Sequence, residues 1–220
     1  KQVELVQDRE ADIFDFFKEK RESNTKLLVR VCQPRNLEIV STGEICNLEK
    51  IRTKLPIYGE YEIEIRVNNK DIRLRMQVRA SAVNVRPNKD LSIKKHQIEG
   101  LSLVIAEEIE RIDVATGQII VNEDEKALWY LLTDLPILEL QDVLRVVKFY
   151  ALRWGVEVFH YTMKSGALNV EKLQFDDVTT LINALAFYSI VAWQLLSLTL
   201  LVRTCPNASA TTLYDKKQIT

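Results

Sequence analysis

Tyr150, Arg153, Glu157 and Lys164 lie in the stretch KFYALRWGVEVFHYTMKSG, and their types suit the handling of phosphate. A carboxylate holds a divalent ion through its oxygens, while a guanidinium, an ammonium and a phenol donate to phosphate oxygens. On a helix of 100° per residue the four fall at about 0°, 300°, 340° and 320°, a narrow stripe. Leu152, Val156, Phe159 and Met163 fall at about 180° to 240°, so the opposite side is expected to face a core. The spacing also fits a solvated face with an ordinary Arg153–Glu157 pair at i,i+4. Two features pull toward a site. Trp154 is a large aromatic beside the stripe, which is unusual on an exposed face. Asp8 follows the apolar run VELV, and the carboxyl ends of strands are where α/β sheets place ligands. Asp8 taken alone equally fits a helix N-cap or turn.

The elements that must position these residues fall into three ranges. In residues 1–38, VELV and TKLLVRVCQ read as buried strands around ADIFDFFKEKRES. That middle segment is an amphipathic helix by the spacing of Ile13, Phe16, Phe17 and Lys20, which gives a β-α-β unit. In residues 39–121 the texture becomes all-β. YEIEIRV and IRLRMQVRA alternate apolar and charged residues around NNKD, the pattern of a hairpin. With NNKD as the turn, Glu64 faces Arg75 and Arg66 faces Arg73. A like-charge pair there would be relieved by an anion, although a plain solvated face is the stronger reading. Residues 122–205 return to α/β: KALWYLLTD is a strand, and the segment ending at Gly166 is one helix. Asp176 and Asp177 then cap the charge-free run Leu181 to Val202. That run is long enough for a bilayer, but its polar interruptions favour a buried helix that closes the core. Residues 206–220 read as a tail or linker.

Composition sets outer limits. The 220 residues are 47% hydrophobic and 28% charged with a net charge of -1, an ordinary soluble globular profile that argues mildly against a nucleic-acid binder. Cys32, Cys46 and Cys205 are widely spaced and form no CxxC, and His96 and His160 are the only histidines. A structural zinc site is therefore not expected, and the thiols fit a reducing, cytoplasmic setting. The chain opens without methionine and without a signal peptide, which reads as a fragment or processed chain. RPNKDLSIKKH, from Arg86 to His96, is a basic loop with phosphate-contacting potential.

YALRWGVEVFHYTMKSG resembles the signature of bacterial insertion-sequence DDE transposases of insertion-sequence family four, the group typified by the kanamycin-resistance composite transposon. Tyr150, Arg153, Glu157 and Lys164 match its Tyr, Arg, Glu, Lys pattern without a gap. QDREADIFDFF resembles the block around that family's second catalytic aspartate, here Asp8, and ALWYLLTDLPI matches with Trp129 in register. The resemblance runs from Asp8 to about Val202. It departs at Val158 and Tyr161, where relatives often carry an acidic residue and a lysine.

The resemblance implies a fold class of α/β: a partial ribonuclease-H-like catalytic core interrupted by the β-rich insertion. It implies that three carboxylates hold two divalent ions, magnesium or manganese, for phosphodiester hydrolysis and strand transfer at transposon ends. Asp8 and Glu157 would be the catalytic metal ligands. Tyr150, Arg153 and Lys164 would hold phosphates near a base turned out of the stack, with Trp129 stacking on it. Arg30 and Arg35 are further candidates for backbone contacts. The implied partners are transposon-end and target DNA, with a homodimer in the synaptic complex and no membrane. The family's first aspartate lies far upstream of its second and is missing here, so the chain alone is expected to be inactive. Two other readings stand beside this one: a non-catalytic α/β module whose Tyr-Arg-Glu-Lys face docks a protein, and a degenerate transposase relic.

Overall fold

The computed structural model describes residues 2–87, 97–121, 126–165 and 168–212. Most of the basic loop, His96 included, lies outside the described residues, as does the helix stop expected at Gly166. The chain divides into two units, Lys1–Leu152 and Arg153–Thr220.

The first unit is built on one mixed, mostly antiparallel sheet of eight strands. They are β1 (Val3–Gln7), β2 (Thr25–Arg30), β3 (Asn36–Ile39), β4 (Ile45–Cys46), β5 (Ile57–Val67), β6 (Lys70–Arg86), β7 (Ile98–Asp113) and β8 (Leu128–Thr133). The strand order is β1-β2-β8-β7-β6-β3-β4, with β5 paired to β6. Only β1 and β2 run parallel, the signature of a β-α-β connection. The sheet runs unbroken across the three sequence ranges: β3 crosses the first boundary, and β7 from the β-rich range pairs with β8.

Burial on both faces explains the apolar runs. Leu27, Val29 and Val31 enter one core with Phe17, Leu37 and Leu103, while Leu28 enters the other. The second core lies under α3 (Leu140–Leu152), which contributes Val143, Val146, Val147 and Tyr150. A buried leucine or valine of this kind stabilises the fold by roughly 1.5–3 kcal/mol.

The helix expected over ADIFDFFKEKRES is shorter than its apolar spacing indicates. A 3-10 turn at Arg9–Ala11 is followed by α1 (Phe14–Lys18), with a break at Asp12. Asp12 is drawn inward to accept from the backbone N–H groups of Cys32 and Gln33, both at 2.7 Å, and from Arg35 Nε at 2.6 Å. Its carbonyl also accepts from Arg35. Those bonds replace continued helix, and Ile13, expected on the apolar stripe, is exposed.

The β5–β6 hairpin has a different register from the one expected. Its turn is two residues, Asn68 and Asn69, with φ of 49° and 63°, as a type I′ turn requires. Glu64 therefore pairs with Arg73 and Arg66 with Asp71, so no like-charge pair exists. Arg73 bridges to Glu64 and Glu62, and Arg75 to Glu60 and Glu110. These exposed arginines form an ion-paired ladder, which is the solvated-face reading.

The second unit contains α4 (Trp154–Lys164), a 3-10 turn at Val170–Lys172, and α5 (Val178–Thr204). The single helix expected to run to Gly166 is instead α3 and α4 separated at Arg153, where the Val156 N–H bonds to the Arg153 carbonyl, an i→i−3 contact. Gly155, a weak helix former, sits in that turn. Of the side expected to face a core, Leu152 and Val156 are exposed, while Phe159 and Met163 are half-buried, with Met163 Sδ 3.9 Å from Ser189 Oγ of α5.

Asp177 caps α5 as expected, accepting from Thr180 N at 2.7 Å. The expected burial of α5 fails: only Ala192 and Leu196 are buried, while Phe187, Ile190 and Trp193 are exposed. Among the described residues it is the one helix long and apolar enough to cross a membrane.

Candidate functional site

Parallel pairing of β1 and β2 sends both carboxyl ends to the same edge of the sheet. Gln7 aligns with Val29, so the next residues in each strand, Asp8 and Arg30, stand at one level. Arg30 in turn aligns with Leu131 of antiparallel β8, and Trp129 stands two residues before Leu131 in that strand. The last turn of α3 brings Tyr150 onto this edge. The Tyr150 hydroxyl donates to Asp8 Oδ1 at 3.0 Å and accepts from Arg30 Nη1 at 3.4 Å. The Arg30 guanidinium lies 5.9 Å from the Tyr150 ring centroid. Trp129 meets the same ring edge-on, at 5.0 Å between centroids and 69° between planes. Four residues singled out in the sequence, up to 142 positions apart, therefore form one cluster within the first unit.

Tyr150 is buried at 4% exposure. Burial pushes its phenol above the usual tyrosine range; Arg30 pulls it down, and Asp8 adds to the rise. The phenol therefore stays protonated at neutral pH and serves as a fixed donor to Asp8. The chain of bonds from Arg30 through Tyr150 to Asp8 holds a carboxylate in one orientation at a strand end, with a cation close by. That arrangement suits an anionic ligand or a metal–phosphate group.

Tyr150 does not share an exposed stripe with the other three signature residues, which belong to the second unit. There Arg153 Nη2 bonds Glu157 Oε1 at 2.7 Å, with side chains 20% and 42% exposed. Lys164 Nζ pairs with Glu171 Oε1 at 2.9 Å, both groups being exposed. Trp154 is 62% exposed. Both cations thus have a carboxylate neighbour, and Glu157 has a guanidinium.

Arg35 occupies the interior. It is 5% exposed, locked to Asp12, and stacked 5.3 Å from the Phe17 ring centroid. The backbone-phosphate contact expected of it gives way to a structural role. Arg86, expected to open the basic loop, is the last residue of β6 and bridges to Glu38. Asp12, the partner that fixes Arg35, is not singled out by the sequence patterns above. Its one signal there is a carboxylate interrupting an apolar helical stripe between Ala11 and Ile13.

Among the described residues no group of three or more His, Cys, Asp or Glu side chains stands together as a metal-ligand set. Asp8 is the one carboxylate of the Tyr150 cluster and belongs to the first unit, and Glu157 belongs to the second. No protein-family model matches the chain.

Proposed function

We propose that this chain is the carboxyl-terminal part of the catalytic domain of an insertion-sequence DDE transposase, and that it binds DNA ends. The observation that carries the reading is the Asp8–Tyr150–Arg30 cluster, with Trp129 against it, at the carboxyl ends of the parallel strands. Asp8, Trp129 and Tyr150 belong to three separate motifs of the resemblance, and Arg30 joins them from the end of β2. The parallel β1–β2 pair joined through α1, the antiparallel partner β8 and the covering helix α3 support a partial ribonuclease-H-like core with the β-rich range inserted in it. Divalent ions in such an enzyme activate water or a 3′-hydroxyl toward phosphorus. Asp8 and Glu157 are the residues that the resemblance makes metal ligands, and no cleavage step is assigned to them alone. Its own residues do positional work. Tyr150 orients Asp8, Arg30 neutralises phosphate charge, Arg153 and Lys164 take backbone phosphates, and Trp129 offers a ring to a displaced base.

The Arg153–Glu157 and Lys164–Glu171 pairs favour the rival reading, a non-catalytic module with an ordinary charged face. Binding to a labelled DNA duplex separates the two. Under the transposase reading, Arg153→Ala and Lys164→Ala each weaken binding, and each lowers the salt slope by about 0.9 for every phosphate it ceases to neutralise. Unchanged affinity in both variants overturns the reading. In a parallel melt, magnesium or manganese raises the transition temperature, and Glu157→Gln diminishes that rise.

A further inference from the structure

A second feature lies on the same edge of the first unit. Arg9, Arg30, Cys32, Glu49, Arg52 and Tyr130 are among the residues lining an open cleft of about 570 Å³. Three guanidinium groups converge from three separate elements: the 3-10 turn after β1, the end of β2, and the residue closing α2 (Leu48–Ile51). Each is available in a different way. Arg9 is exposed, and among the described residues its side chain has no ion-pair or hydrogen-bond partner. Arg52 is held by Glu107 and by the Tyr130 hydroxyl, but a guanidinium carries five donors, so some of them stay unspent. Arg30 lines the cleft while bonding the Tyr150 hydroxyl, and so belongs to both sites.

The three arginines stand with Glu49 in the lining, with Glu107 on Arg52 and with Asp8 linked to Arg30 through Tyr150. Guanidinium groups present paired N–H donors that fit phosphate oxygens. The cleft is open, and it adjoins the Asp8 cluster through Arg30, as a continuous DNA strand requires. We propose that this cleft seats a DNA phosphodiester flanking the Asp8 cluster, with Arg9 and Arg52 as its binding residues and Arg30 shared between the two sites. The proposal rests on the DNA-end reading above and adds a subsite contributed partly by the β-rich range.

The test uses the 220-residue chain in EDTA with a fluorescein-labelled duplex. Arg9→Gln, Arg52→Gln and the double variant are compared with wild type, and Arg73→Gln in the ion-paired ladder serves as control. Each single variant weakens binding by about three- to tenfold and lowers the salt slope by about one, while the control binds as wild type. Arg9 is exposed, so its variant keeps the test valid if loss of Arg52 disturbs folding. Cys32 provides an independent readout: it is exposed and lines the cleft, whereas Cys46 is buried. In a Cys205→Ser background, DNA slows maleimide labelling of Cys32, and inorganic phosphate at the same concentration does not.

Wild-type affinity in the Arg9 and double variants, unchanged Cys32 labelling, or equal protection by phosphate overturns the proposal. Loss of affinity in Arg153→Ala and Lys164→Ala but not in Arg9→Gln leaves the transposase reading standing and removes the cleft. The converse removes that reading and keeps the cleft. A wild-type chain that binds no DNA ends both.

Discussion

Tyr150 is the residue through which the chemistry is organised, because its hydroxyl is both acceptor for Arg30 and donor to Asp8. Tyr150→Phe leaves Asp8 without that donor and is expected to cost about 1–2 kcal/mol in urea unfolding. It also weakens DNA binding by releasing the Asp8 carboxylate. Ionisation gives a second check. Burial raises Tyr150, and raises Tyr61 to about 12. Both folded values lie above the unfolded one, so the stability they confer is complete below about pH 10 and is lost as pH rises from there toward the folded values. The urea midpoint should fall across that window, and Tyr61→Phe should flatten the fall. A flat profile in the wild type contradicts the burial of these phenols. Arg35 shows what residue type alone conceals. Its type suits phosphate, and only the fold reveals that Asp12 consumes it. Arg35→Ala strands a buried carboxylate, so it should cost roughly 3–5 kcal/mol in stability. The affinity of the folded fraction for DNA should stay unchanged.

At the scale of elements, the alternating strands were legible because period-two patterning directly encodes which face is buried. Tyr61, Ile63 and Ile65 do align with Met76, Leu74 and Ile72. Register was not legible, since NNKD fits both a four-residue loop and a two-residue turn flanked by paired strands. What decides it is that Asn68 and Asn69 both adopt positive φ. Asn tolerates that region and alanine suffers a steric penalty, so Asn69→Ala should lower stability by about 1 kcal/mol. Asn69→Gly should be neutral or slightly stabilising. An alanine variant as stable as the wild type, by urea unfolding, argues against the two-residue turn. The interruptions at Asp12 and Arg153 were equally hidden. Apolar spacing records which side of a helix is greasy, not whether a side chain has a better partner elsewhere.

At the scale of the whole molecule, the one-sheet architecture of the first unit follows from pairings between distant segments, β2 with β8 and β7 with β8, that no local pattern announces. The same limit explains the misreading of α5. An uninterrupted apolar run normally implies burial, and nothing local distinguishes a covered helix from an uncovered one. Phe187, Ile190 and Trp193, at 65%, 60% and 64% exposure, recur at three-residue spacing and so form one continuous apolar stripe. Stripes of this kind bind hydrophobic dyes and carry an association hazard. The 220-residue chain should therefore enhance anilinonaphthalene-sulfonate fluorescence under native conditions, and Ile190→Lys with Trp193→Lys should abolish most of that enhancement. Because the replaced side chains are exposed, helix content by circular dichroism should be retained and stability should move by no more than about 0.5 kcal/mol per site. A large loss of stability in the double variant would mean that these side chains are packed against something, and the burial first expected of α5 would be restored.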